Sequence, residues 1–146
     1  MKVKVKENPE QTENEAHILC RNADDDEVQR ALSLLGQLGI QLPGKKEGKT
    51  VLINNEEILY FESVDKKTFI YTETDVLETP FRLYMLEERL LNSSFLRASK
   101  NAIINLQRIV SLKPEFGGRM EATLTSGERI MISRQYLPTL KNKLEM

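Results

Sequence analysis

Two kinds of periodicity divide the chain. From Thr50 onward, apolar residues come in short runs or alternations separated by turn residues, the pattern of β-strands. Thr50–Ile53 is the first such run, followed by an Asn-Asn turn. Glu57–Ser63 is the second, and Val64–Lys67 reads as a hairpin turn into Thr68–Thr72, against which Val76–Thr79 is expected to pair back. Pro80 introduces a brief helix that keeps Leu83, Leu86 and Leu90 on one face. Phe95 then leads into a polar loop, Arg97–Asn101, that opens into strand Ala102–Leu106, with strand Arg108–Leu112 beyond it. After a turn-rich stretch, Pro114–Gly118, the residues Met120, Ala122 and Leu124 alternate with Glu121, Thr123 and Thr125. Ser126-Gly127 turns the chain, and Ile130 and Ile132 resume the buried face of a hairpin. Tyr136, Leu137, Leu140 and Leu144 return to helical spacing. Because Pro138 lacks a backbone donor, a tight turn over Arg134–Leu137 and a helix beginning near Pro138 are predicted.

The amino-terminal part reads differently, as strand, loop, strand and helix. Lys2–Lys6 alternates lysine and valine, and a polar connection containing Pro9 follows. His17–Cys20 can be a second short strand. Asp24 is placed to cap a helix, with Glu27 three residues later as in a capping box. The helix would bury a stripe of Val28, Ala31, Leu32, Leu35 and Leu38, with Gly36 and Gly39 as candidate stops and Pro43-Gly44 marking a boundary. The expected organisation is a β-β-α extension over residues 1–43 and a mostly β domain over residues 44–146. The extension is a candidate dimerisation or regulatory segment.

Composition narrows the function. The chain has 146 residues, enough for one domain with an appendage, and 40% of them are hydrophobic, enough for a core. No apolar run approaches the roughly 18 residues of a membrane span, and the amino terminus lacks a signal-peptide core, so a cytoplasmic protein is expected. A single cysteine excludes an internal disulfide. His17 and Cys20, three apart on a strand, would point to opposite faces and could not chelate together, so no metal and no cofactor are expected, and Cys20 reads as a buried core thiol. Catalysis is not expected either. There is no Gly-rich phosphate loop, no G-x-S-x-G elbow and no pair of histidines. The Asp24–Asp26 cluster suits a helix start better than a phospho-acceptor pocket, and the forty-odd residues ahead of the β region are too few for a receiver domain.

Net charge is −1, which does not by itself mark a nucleic-acid binder, but its distribution is uneven. Residues 1–44 hold five Lys+Arg against eight Asp+Glu, and residues 45–146 hold sixteen against fourteen. A DNA site here would be a local basic edge. Three loops carry suitable donors: Asp65–Thr68, Arg97–Asn101 and Ser133–Gln135. Arg97, Ser99, Lys100 and Asn101 can donate to phosphates or purine edges.

The motifs around these loops resemble the LytTR family of bacterial DNA-binding domains. Four occur in order: I-x-Y-F-E-S over Ile58–Ser63, F-x-R-x-S-K-N-x-I-I-N over Phe95–Asn105, S-G-E-R-I over Ser126–Ile130, and S-R-x-Y over Ser133–Tyr136. The resemblance covers roughly Gly44 to Leu144. It implies an elongated stack of small β-sheets that reads DNA with loops from one edge, where most DNA readers insert a helix. Lys100 and Arg134 become the candidates for base contact, since both can donate to guanine O6 and N7. Asn101 could pair with adenine or a phosphate, and Lys66 and Lys67 would set register on phosphates. Many family members have a histidine where this chain has Ser99-Lys100, which leaves base preference open.

Plainer structural roles compete at several positions. Lys66-Lys67 could be a solvated turn, Arg97 a structural arginine against a carboxylate, Asn105 a buried amide satisfying a turn, and Ser133 a helix cap. Arg119 could extend the patch, although nothing in its spacing demands it. The expectation is a stand-alone transcription regulator without a receiver domain, binding double-stranded DNA as a homodimer and regulated by a membrane-bound partner or by abundance. The alternative is a protein-interaction module that uses residues 1–43.

Overall fold

A computed structural model of the protein describes residues 1–36, 40–91 and 93–146. Helix α1 spans Asp26–Gly36, and strands β1 (Gln41–Lys46), β2 (Lys49–Asn54), β3 (Ile58–Val64), β4 (Lys67–Thr72) and β5 (Val76–Thr79) follow. Helix α2 (Leu83–Arg89) leads to β6 (Phe95–Ser99), β7 (Ala102–Asn105), β8 (Ile109–Glu115), β9 (Arg119–Leu124), β10 (Arg129–Ile132) and helix α3 (Leu137–Lys143). The expected mostly β architecture is present. Seven strands form one antiparallel sheet in the order β2-β1-β5-β4-β3-β7-β6, and β10-β9-β8 form a second.

The seven-stranded sheet is buried on both faces at its β3–β7–β6 end. One face packs Ile58, Phe61, Ile70, Phe95 and Ile103 against Leu83, Leu86 and Leu90. The other packs Leu59, Tyr60, Ala98, Ala102 and Ile104 against Met120, Ala122, Leu124 and Ile132 of the second sheet and against Leu137 and Leu140 of α3. This explains why β7 reads as an unbroken apolar run: its successive side chains enter different cores. In β3 a bulge between Ile58 and Tyr60 lets Leu59 and Tyr60 share one core. Asn105 closes β7 as the expected buried amide. It accepts from Ser94 Oγ at 2.5 Å and from the Gln107 N–H at 3.1 Å, and donates to the Ile58 carbonyl at 2.8 Å.

The β3–β4 hairpin turns on Asp65 and Lys66, both at positive φ (50° and 67°), the backbone a two-residue turn needs to match strand twist. The β9–β10 hairpin turns through Ser126-Gly127 as expected, and β5 pairs back on β4. The carboxyl end follows its reading too, with a tight turn before α3 and Pro138 in the first helical turn, where no backbone donor is required. Leu144 is the exception in that stripe, being exposed.

Several expectations need correction. Lys2–Lys6 and His17–Cys20 are not strands, because neither run finds a partner ladder, and Val3 and Val5 are exposed. Cys20 is therefore an exposed thiol, and the opposite-face geometry argued for His17 and Cys20 does not apply. His17 lies beside Glu15 at 3.0 Å, and no cluster of three or more metal-ligating side chains occurs among the described residues. The helix begins two residues later than Asp24. Asp25 supplies the cap, its carboxylate accepting the Glu27 N–H at 3.0 Å and its carbonyl the Gln29 N–H at 2.9 Å.

Within α1 only Val28 is buried, while Leu32, Leu34 and Leu35 remain exposed. Leu38 and Gly39 lie outside the described residues. Pro43-Gly44, expected to mark a boundary, lies within β1, and a Cβ on Gly44 would sit 2.7 Å from Ile53 Cδ1 and 2.8 Å from Leu77 Cβ. Glycine is there for close packing. Pro114 likewise lies inside edge strand β8, where a missing N–H is tolerated.

Candidate nucleic-acid interface

The loop end of the molecule is assembled by backbone bonds that run between elements. The Ser63 N–H at the end of β3 donates to the Asn101 carbonyl at 2.8 Å, setting the Asp65-Lys66 hairpin beside the β6–β7 turn. The Ser133 N–H after β10 donates to the Ala98 carbonyl of β6, also at 2.8 Å. That bond holds the Arg134-Gln135 turn against the other side of the same β6–β7 unit. Ser133 does not cap α3: the residue preceding the helix is Tyr136, without a side-chain cap, and the Ser133 carbonyl accepts the Tyr136 N–H.

Between these elements lies an open groove of about 720 Å³ lined by Ser99, Lys100, Asn101, Gly117, Arg119, Ser133, Arg134 and Gln135. Lysine, arginine, amide and hydroxyl donors line it, and no carboxylate does. Among the described residues, Lys66, Lys67, Lys100, Arg119 and Arg134 take no part in an ion pair. Unpaired cations in and beside a groove whose lining holds no carboxylate make a local positive field on a chain of nearly neutral net charge.

The sequence-predicted residues divide into three sets. Ser99, Lys100, Asn101 and Arg134 meet in the groove, with Lys100, Asn101 and Arg134 exposed. Lys66 and Lys67 are exposed on the adjacent hairpin but do not line it. Arg97 takes the structural role. It lies within β6 and not in a loop, its Nε donates to Glu87 Oε1 at 2.7 Å, and its Nη1 donates to the Lys100 carbonyl at 2.6 Å. Arg97 thus braces the backbone that carries Lys100. Ser99 ends β6 and its hydroxyl accepts the Asn101 N–H at 3.2 Å, tightening the same turn.

Arg119 and Gly118 were less legible in the sequence. Arg119 begins β9 and joins the groove through the β8–β9 pairing, a contact made by topology. Gly118, at φ +76°, lies directly under the Arg134 side chain, and a Cβ there would sit 2.9 Å from Arg134 Cδ and 3.3 Å from Cγ. The Gly117-Gly118 pair is visible in the sequence, but its value as a seat for Arg134 is not.

Known proteins point the same way. A family model described as the LytTr DNA-binding domain matches residues 48–145. The sensory transduction protein LytT of Bacillus anthracis is 31% identical over 100 residues, covering 68% of this chain and 41% of that protein. The chain thus spans about two fifths of the length of that relative. An uncharacterized HTH-type transcriptional regulator of Staphylococcus aureus is 27% identical over 148 aligned positions, covering all of this chain and 99% of the relative. The solved LytTr DNA-binding domain of a Bacillus cereus response regulator superposes with a TM-score of 0.69 at 23% identity, covering 73% of this chain and 97% of that one, a likeness of fold.

The seating of Arg134 can be tested by paired glycine substitutions. Gly118→Ala and Gly127→Ala both force alanine to positive φ, but Gly127 has nothing within 4 Å of its missing Cβ. Each should lose about 1 kcal/mol of stability. Only Gly118→Ala should also elute earlier from immobilised duplex DNA in a salt gradient. Equal elution of the two variants would contradict the seating role.

Proposed function

The chain belongs to the LytTR family of DNA-binding domains, and we propose that it is a sequence-specific transcription regulator that reads duplex DNA with its loop end. The observation that carries this reading is the groove in which Lys100, Asn101, Arg119, Arg134 and Gln135 gather with no carboxylate. Lys100 and Arg134 are assigned to base edges, Arg134 by the planar two-point donation that guanine O6 and N7 accept. Asn101 is assigned to adenine or a phosphate, with Ser99 shaping its turn. Lys66 and Lys67 are assigned to phosphates, which fix register without carrying sequence. Arg97 contributes by holding the Lys100 backbone.

Among the described residues no two helices follow one another without intervening strands, so a helix-turn-helix is not the reading device. No helix among them is long and apolar enough to cross a membrane. The DNA-binding family supports a cytoplasmic site of action.

Self-association is proposed through the amino-terminal part. Leu32, Leu34 and Leu35 of α1 are exposed at 47%, 51% and 38% in the single chain, although Val28 earlier on the same helix is buried. A dimer would place two loop ends on half-sites spaced by about one helical turn or a multiple of it. The same leucines are what the alternative reading, a docking module for a regulator such as a membrane-bound partner, would use.

Arg134→Ala should weaken binding to a selected site by about 1–3 kcal/mol and relax preference at one base position. Lys66→Ala should weaken all sequences alike and reduce the salt slope by about one. Fluorescence anisotropy at several salt concentrations checks both, and a sequence-selective loss in Lys66→Ala would reverse the assignment. Self-association is checked by sedimentation of a chain beginning at Ile40, a cut that spares β1. Loss of the dimer supports α1 as the interface, and an unchanged dimer would contradict it.

A further inference from the structure

Phe116 stands out from every other side chain of the β domain. It is 91% exposed, and outside the first 36 residues no other large hydrophobic among the described residues is as exposed. It is also held in place. It opens the turn between β8 and β9, where Glu115 pairs with Arg119 and Gly117 and Gly118 adopt φ of +82° and +76°. The Phe116 carbonyl accepts from Arg119 Nε at 3.1 Å, so the ring and the guanidinium are carried by one braced turn. Gly117 and Arg119 line the basic groove, and Phe116 directly precedes Gly117 in the chain.

We propose that this turn is a further DNA-contacting loop, in which Phe116 packs on a thymine methyl in the major groove while Arg119 takes a neighbouring phosphate. The inference rests on the DNA-reading groove described above. An aromatic ring kept out of the core forgoes its burial in the free protein and recovers it only against an apolar surface. On duplex DNA the apolar group offered beside the donors and acceptors of the major groove is the thymine methyl. Charge decides between this occupant and an apolar protein surface. The ring is followed along the chain by Arg119, and Arg134 and Lys100 line the same groove with no carboxylate, a setting suited to a polyanion. Glu115, which precedes the ring, lies 3.5 Å from Lys113 Nζ.

The test uses the full chain and a duplex enriched by the wild-type protein from random-sequence DNA. Binding is measured with thymine present and with uracil in its place. Phe116→Ala should bind about tenfold more weakly with an unchanged salt slope, because a neutral contact releases no counterion. Arg119→Ala should reduce the slope by about one. Uracil should weaken the wild type and leave Phe116→Ala unaffected. Matching thermal unfolding midpoints would show that the exposed substitution leaves the fold intact. If the wild type binds the duplex and both variants bind equally well, the loop is not a contact, while the groove reading stands. If uracil does not affect the wild type, the thymine assignment is overturned. If the wild type enriches and binds no duplex, the groove reading fails and the inference with it.

Discussion

The whole loop end depends on the burial of β6 and β7 between two cores. Ile103 faces the α2 side, and Ala102 and Ile104 face the second sheet, so the strand cannot slip by one residue without exchanging its faces. With register fixed, the β6–β7 turn has one position, and Lys100 and Asn101 are presented at its tip. The two cross-element bonds, Ser63 to Asn101 and Ser133 to Ala98, then attach the other two loops to that turn. Donors scattered over seventy residues of sequence become neighbours because the backbone leaves them no alternative.

This architecture explains how a chain with net charge −1 can present a basic face. The groove gathers cations without a carboxylate beside them. Arg97, Arg129, Lys46 and Lys113 are matched with carboxylates elsewhere on the surface, whereas the groove cations are not. Exposed pairs of this kind add little stability. In the proposed complex, phosphate neutralisation would supply most of the affinity and the few base-edge donors the preference.

The sequence was most legible where local rules and tertiary demands agreed. The alternation of Met120, Ala122 and Leu124, the turn at Ser126-Gly127 and the proline at the start of α3 each state their own structure. It was least legible where a residue's meaning depends on a distant partner. Lys2–Lys6 has strand periodicity but no ladder to join. Pro43 and Gly44 look like punctuation, yet Gly44 is required by the approach of Ile53 and Leu77. Arg97 carries a DNA-binding motif position, but Glu87, ten residues earlier on α2, claims its guanidinium. Arg119 and Phe116 enter the site through the β8–β9 pairing, which no spacing in the sequence announces.

The central claim is that one end of the β domain, and no other surface, meets DNA. Amide chemical-shift mapping of the isotope-labelled chain, titrated with a duplex selected from random DNA, tests it most directly. The account predicts shifts concentrated at Asp65–Lys67, Ser99–Asn101, Phe116–Arg119 and Ser133–Gln135, with α1 and the β1–β2 edge unmoved apart from any dimer contact. Shifts confined to α1 or to β1 and β2, with the groove residues silent, would contradict it.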